Sequence, residues 1–94
     1  MNRAERIREI IEDAFVPEAL EITDDSHQHA GHAGAQPGGE THYTLTIVSA
    51  QFEGQSRVMR QRVVYALLAK EFELGLHALS VRALTPDEQR RELI

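Results

Sequence analysis

The stretch "HYTLTI", His42–Ile47, alternates polar and apolar side chains along six residues. Alternation with a period of two places Tyr43, Leu45 and Ile47 on one face, which is the pattern of a β-strand half-buried against a core. We therefore predict that His42–Ile47 is a strand of a sheet. The segments on either side of it decide how that sheet is completed.

Two further stretches have the same character. Leu20–Thr23 alternates in the same way and predicts a strand before the first, with Leu20 and Ile22 facing inwards. His77–Val81 predicts a third strand later in the chain. The connector between the first two strands contains "SHQHAGHAGAQPGG", Ser26–Gly39. It is far longer than a hairpin loop, and such connectors are either functional or disordered.

The N-terminal segment predicts an amphipathic helix. Its apolar residues fall at i, i+3, i+4 and i+7, on one helical stripe. They are Ile7, Ile10, Ile11 and Ala14. Asn2 is a suitable N-cap, Glu5 completes a capping box, and Pro17 ends the helix.

A second helical stripe follows Gly54, and Gly75 is a suitable C-terminal cap for that helix. The stripe contains Val64, Leu67, Leu68 and Phe72. Arg60 and Gln61 would project onto the same apolar stripe if one helix ran straight through. That conflict predicts a break near Arg60, with Ser56–Met59 forming a separate turn.

A last helix begins at "TPDE", in which Thr85 is the N-cap, Pro86 the first helical residue and Glu88 the third. The predicted order is αββαβα. We therefore expect a two-layer α+β sandwich in which helices cover one face of a three-stranded sheet. The length allows a single domain over residues 1–94 and no second core.

Composition excludes several classes of function. The chain has no cysteine, which rules out disulfides, thiol catalysis and a metal site made of its own thiolates. The net charge is −5; residues 1–40 carry three arginines against nine acidic residues, and residues 41–94 carry seven basic residues against six acidic ones. This balance disfavours nucleic acid as a general partner and leaves room for a local basic patch.

The sequence lacks the motifs that would indicate a membrane span, a signal peptide or a common catalytic site. No apolar run approaches the roughly 18 residues of a membrane span, and the first turns lack the apolar centre of a signal peptide. We expect a cytoplasmic protein, or one in a matrix-like compartment after a presequence has been removed. The sequence has no G-x-S-x-G elbow, P-loop or cysteine nucleophile. We expect a binding protein without enzymatic activity and without a small-molecule substrate.

Three stretches together resemble the BolA family. They are "ETHY" at Glu40–Tyr43, "IVSAQFEGQSRV" at Ile47–Val58 and "GLHALSVRALTPDE" at Gly75–Glu88. The resemblance covers nearly the whole chain and implies a fold similar to the class II KH domain. One departure is that the family typically has Arg-His-Arg in the second helix, where this chain has Gln61 between two arginines. A role that needs an imidazole on that helix is therefore in doubt.

The resemblance also implies a partner and a cofactor. BolA-like proteins form heterodimers with monothiol glutaredoxins and bridge a 2Fe–2S cluster, in cluster trafficking or iron regulation. Imidazole can replace thiolate on one iron of such a cluster. This chain offers imidazoles only, so a glutaredoxin cysteine and glutathione would supply the sulfur ligands. From the residues alone, the favoured interpretation of His77 is a half-buried histidine bonded to a backbone carbonyl. The resemblance reverses that preference, because His77 matches the family's cluster-linked histidine.

The second ligand is expected in the connector. The resemblance points to His32, and His29 is the alternative because the length of this loop varies. His27 and His42 lie nearer strand ends and are expected to be structural. A rival interpretation is that His27, His29 and His32 alone chelate zinc, nickel or copper.

The alternative function is weak, salt-dependent binding of DNA in transcriptional regulation, which has been described for some BolA-like proteins. KH-like domains grip nucleic acid with a G-x-x-G loop, and the corresponding Gly54–Arg57 lacks the second glycine. A basic edge would be formed by Arg57, Arg60, Arg62 and Lys70, joined by Arg82. The competing expectation is that these cations are solvated or paired with Glu53 and Glu71.

Overall fold

A computed structural model of the chain describes residues 1–26 and 39–93. The helices are α1 (Arg3–Phe15), α2 (Arg57–Leu67), α3 (Ala69–Glu73) and α4 (Pro86–Glu92). The strands are β1 (Ala19–Asp24), β2 (His42–Val48) and β3 (Ala78–Leu84), and a 3-10 turn, Ala50–Phe52, follows β2. The α+β architecture and the αββαβα order are confirmed, with the helix between β2 and β3 divided into α2 and α3. Extension of the domain over residues 1–94 and the class II KH likeness stay predictions.

The three strands form one sheet in the order β1-β2-β3. β1 pairs antiparallel with β2, and β2 pairs parallel with β3, so that His42 lies opposite Ala78. β3 starts one residue later and ends three residues later than predicted, because its pairing with β2 continues to Leu84 opposite Val48. The parallel pairing brings the starts of β2 and β3 to the same end of the sheet.

The core lies between the inward face of the sheet and α1 and α2. Fully or nearly fully buried side chains from these elements and from the turns join one cluster. They are Ile7, Ile11, Phe15, Tyr43, Leu45, Ile47, Phe52, Val64, Leu68, Leu76, Leu79 and Ala83. The predicted stripe of α1 and the predicted inward face of β2 are therefore confirmed. Leu20 and Ile22 of β1 are only half-buried against the cluster.

The capping boxes at both ends of the chain form as expected. Asn2 accepts from the Glu5 amide at the start of α1, and Thr85 accepts from the Glu88 amide at the start of α4. In each box the glutamate side chain accepts from the backbone amide of the capping residue. α1 ends at Phe15, and its C-cap Val16, one residue before Pro17, has the left-handed conformation with φ 44°.

The predicted break near Arg60 is wrong: α2 is continuous through Arg60 and Gln61, and the interruption occurs at Leu68. α2 runs beside the outer edge of β3 and donates to alternate carbonyls of that edge. The bonds run from Tyr65 to Leu79, from Gln61 to Val81, and from Arg60 to Ala83. The polar side chains on the inward stripe are therefore satisfied by a strand edge, and no break is needed.

Candidate functional site

His77 lies at the entrance to β3 with an exposed side chain. Its backbone is held firmly, because the amides of both His77 and Ala78 donate to the carbonyl of the buried Thr41, at 2.8 and 3.1 Å. The turn that precedes it passes through Gly75, whose φ of 121° is a conformation that glycine adopts readily and other residues rarely adopt. The result is an imidazole presented to solvent from a fixed backbone position.

His42 is the neighbour of His77 that the sequence did not reveal as part of this site. The two imidazole rings lie side by side with centroids 5.3 Å apart. His42 is buried, and its Nδ1 lies 2.9 Å from the hydroxyl of Thr41. A cavity of about 130 Å³ adjoins this ring, between the starts of β2 and β3. The parallel pairing of β2 and β3 was the missing signal, because it alone places position 42 beside position 77.

The two ends of the connector meet at the same place. The hydroxyl of Ser26 accepts from the amides of Thr41 and His42, at 2.9 and 3.1 Å. Asp24 accepts from the amide of Ser26 through one carboxylate oxygen and from the amide of Glu40 through the other. Residues 26 and 40 are thus tied to the end of the sheet that carries His77. His27, His29 and His32 lie outside the described residues.

A buried ion-pair cluster lies at this end as well. Glu71 of α3 accepts from Arg3 at 3.0 Å and from Arg6 at 2.8 and 3.0 Å. The hydrogen bond from Arg6 lowers the pKa of Glu71 against the opposing effect of burial, and the bond from Arg3 adds to it. Glu71 is therefore a fixed anion that holds the first turn of α1 against α3.

The donor set limits what this end of the fold can bind. Within residues 1–26 and 39–93, no three or more histidine and acidic side chains are arranged to hold a metal ion. The whole chain has no cysteine. The residues therefore fit an iron–sulfur cluster only as contributors of imidazole to a site whose thiolates come from elsewhere.

The basic residues of the alternative function lie on α2 and α3, and they are Arg57, Arg60, Arg62 and Lys70. Arg60 is turned inwards and is only 5% exposed, with its guanidinium 2.6 Å from Glu88. Arg57 lies 3.8 Å from the same carboxylate. The hydrogen bond from Arg60, and then one from the Thr85 backbone, lowers the pKa of Glu88 to about 2.

These contacts correct one expectation about that edge. The acid that neutralises Arg57 and Arg60 is Glu88 of α4, whereas Glu71 is occupied by α1. Because Arg60 is buried, it is not available to an exposed basic edge. DNA binding stays a prediction, with Arg62 exposed and without an ion-pair partner among the described residues.

Comparison with known sequences finds relatives whose names refer to BolA. A family model described as "BolA-like protein" matches residues 11–88. The chain is 49% identical over 89 residues to "Protein BOLA1, chloroplastic" of Arabidopsis thaliana, covering 93% of this chain and 56% of that protein. It is 43% identical over 84 residues to human "BolA-like protein 1", covering 89% of this chain and 58% of that protein. The chain thus spans little more than half the length of these relatives.

Solved structures agree with the fold. The BolA domain of SufE1 from Arabidopsis thaliana superimposes with a TM-score of 0.84 at 50% identity, covering 94% of this chain and 96% of that domain. BolA1 from the same plant gives a TM-score of 0.84 at 49% identity with the same coverage.

No helix in residues 1–26 and 39–93 is long and apolar enough to cross a membrane. The relative BOLA1 is named as chloroplastic, and another, SufE-like protein 1, as chloroplastic/mitochondrial, so a cytoplasmic location stays a prediction.

The family model covers most of the chain, and the two plant structures reproduce its α1–β1–β2–α2–α3–β3–α4 arrangement over nearly its full length. This chain belongs to the BolA family.

Proposed function

We propose that the chain is an adaptor that forms a heterodimer with a monothiol glutaredoxin and contributes imidazole ligands to a bridging 2Fe–2S cluster. The remaining ligands would be a glutaredoxin cysteine and glutathione. The role would be iron–sulfur cluster trafficking or iron regulation. The chain itself would bind and present a ligand without catalysing a reaction.

The exposed His77 is the observation that carries this proposal. It is the one solvent-exposed imidazole in residues 1–26 and 39–93. Two backbone hydrogen bonds to Thr41 fix its starting point. A ligand shared between two proteins has to be accessible to a partner and attached at a defined place, and His77 combines an exposed side chain with a fixed backbone.

The anchored connector supports a second ligand from the same chain. Residues 26 and 40 are bound at the His77 end of the sheet. His29 follows Ser26 by three residues and His32 follows it by six, and one residue of extended chain spans at most about 3.5 Å. Either histidine is close enough along the chain to serve with His77.

The absence of cysteine supports a shared site. Thiolates normally hold such clusters, and imidazoles replace them on one iron in known centres. When bound, the cluster would supply redox-active or transferable iron and sulfide. This chain would contribute nitrogen ligands and the surface that keeps them in place.

The proposal is tested by mixing the protein with a monothiol glutaredoxin, iron, sulfide and glutathione, and recording visible absorption and circular dichroism. The wild-type mixture should show a heterodimer with a cluster spectrum of its own. His77→Ala should give a labile or differently ligated cluster. Ser80→Ala, an exposed change in β3 three residues after His77, is the control and should behave as the wild type. A His77→Ala complex with the wild-type spectrum and lifetime would overturn the role of His77.

The connector is tested in the same assay. His32→Ala and His29→Ala should each have a smaller effect than His77→Ala, because each histidine can substitute for the other. The double replacement should shorten the cluster lifetime by more than the two single effects combined. A double variant that matches the wild type would remove the connector from the ligand set.

A further inference from the structure

Two backbone segments lie next to His77, one containing Glu40 and the other containing Leu74. Glu40 immediately precedes Thr41, whose carbonyl accepts from the His77 amide at 2.8 Å. Leu74 is the C-cap of α3 and lies three residues before His77. The direction in which the imidazole projects depends on how these two segments sit relative to each other.

The side chain of Arg3 joins the two segments. Its guanidinium donates to the carbonyl of Glu40, to the carbonyl of Leu74 at 2.8 Å and to the Glu71 carboxylate at 3.0 Å. Its backbone amide also donates to the Glu40 carboxylate at 2.9 Å. Arg3 is only 7% exposed, so these bonds form where water does not compete well.

Arg3 lies in the first turn of α1, where it does not stabilise the helix itself. A cation in the first turn of a helix is unfavourable because the helix dipole places positive charge there. Glu40 has φ 65°, a left-handed conformation that a non-glycine residue keeps only when its surroundings hold it. Arg3 binds both the carbonyl and the side chain of Glu40, which is the kind of restraint that this conformation requires.

We propose that Arg3 is a positioning residue for His77, which clamps the Glu40 and Leu74 segments so that the exposed imidazole projects in one direction. A planar guanidinium reaches three acceptors at fixed angles, and a lysine ammonium does not. The effect on a cluster rests on the function proposed above. The effect on the free protein does not.

The chain supplies a matched control in Arg60. It is 5% exposed, and its guanidinium also binds two carbonyls and one carboxylate, those of Gln55, Ala83 and Glu88. Ala83 lies six residues along β3 from His77, about 20 Å away. Replacing Arg60 therefore removes a comparable set of bonds far from His77. Arg6 is a second control, because it binds Glu71 but not the Glu40 or Leu74 segment.

The first experiment uses the free protein. Arg3→Ala should raise the amide hydrogen-exchange rates of His77 and Ala78 by about tenfold, the size expected when two carbonyl bonds near them are lost. It should also change the NMR shifts of the His77 ring. Arg60→Ala and Arg6→Ala should leave both readouts near wild type. Arg3→Lys with Arg60→Lys gives the same comparison in a milder form if the alanine variants fold poorly. Equal exchange at His77 in the Arg3 and Arg60 variants would overturn the positioning role.

The second experiment uses the complex with a monothiol glutaredoxin. Arg3→Ala should shorten the cluster lifetime relative to Arg60→Ala, and it should add nothing in a His77→Ala background, because both changes act through the same ligand. Additive effects would overturn the positioning role. If His77→Ala itself leaves the cluster unchanged, the ligand role of His77 in the proposed function fails, while the hydrogen-exchange result for the free protein still decides the role of Arg3.

Discussion

Arg60 is a charged residue on the inward stripe of α2, next to the buried Val64. It is tolerated there because each nitrogen of its guanidinium donates a hydrogen bond. The acceptors are two backbone carbonyls and the Glu88 carboxylate. A buried cation is expensive when unpaired and acceptable when its donors are satisfied. Gln61 is accommodated in the same way, because its side-chain amide donates to the carbonyl of Val81.

The pKa of Glu88 makes this contact testable by pH. Arg60 and the Thr85 backbone lower that pKa from 4.5 to about 2, so folding favours the ionised carboxylate. Its contribution to stability is present above about pH 4.5 and is lost as the pH falls towards about 2. Glu88→Gln keeps a side chain that can complete the capping box and removes the charge.

We expect Glu88→Gln to lower the free energy of unfolding at neutral pH by about 1 to 2 kcal/mol, since the carboxylate is partly exposed. The difference from the wild type should shrink as the pH falls through the window given above. Denaturant unfolding at several pH values measures it. A difference that stays constant down to the acid end of the window would show that the carboxylate charge is not what Arg60 stabilises.

At the scale of the elements, α2 both packs on the core and closes the outer edge of β3. Side-chain donors along the helix meet the alternate outward carbonyls of the strand. A strand edge covered in this way is protected from pairing with another chain. The helix is interrupted at Leu68, which has neither glycine nor proline beside it, so the local sequence does not mark the break.

Two adjacent leucines, both predicted to lie on the inward stripe, differ in burial. Leu68 is 0% exposed, whereas Leu67, predicted to lie on the inward stripe, is 38% exposed. Leu68→Ala should lower the free energy of unfolding by about 2 to 5 kcal/mol, because it leaves a cavity in the core. Leu67→Ala should lower it by about 1 kcal/mol or less. Similar losses in urea unfolding for the two variants would contradict the observed difference in burial between Leu67 and Leu68.

For the whole molecule, the parallel pairing of β2 with β3 gathers one set of features at one end of the sheet. His77, His42 and Thr41 meet there, and so do the anchored ends of the connector and the Arg3 clamp. The Arg60–Glu88 contact lies towards the other end, beside Ala83. The proposed ligand-bearing end of the sheet is therefore separate from the end at which Arg60 and Glu88 form their ion pair.

Expression of the chain alone tests the shared-site model. Because it has no cysteine, the isolated protein should be colourless and free of iron. Adding the glutaredoxin with glutathione, iron and sulfide should produce colour only in the mixture, as measured by visible absorption and iron analysis. Recovery of a brown, iron-containing protein without any partner would contradict the model.

The sequence by itself determined most of the local structure. Asn2 with Glu5, and Thr85 with Pro86 and Glu88, mark helix starts through bonds between residues three apart. Strand alternation identified the inward face of β2 in the same way. Such signals depend on near neighbours in the chain, so they can be read without knowing what packs where. The lack of cysteine likewise excluded an independent cluster site before any geometry was known.

Only the tertiary structure decided which distant groups meet. The partner of Arg60 is 28 residues away, and Arg3 reaches acceptors at positions 40, 71 and 74. His42 lies beside His77 because two parallel strands start together. A charged side chain on an apolar stripe can mean a broken helix or a satisfied buried bond, and sequence periodicity does not distinguish the two. The choice depends on where the carbonyls of a remote strand edge lie, which is fixed only when the chain is packed.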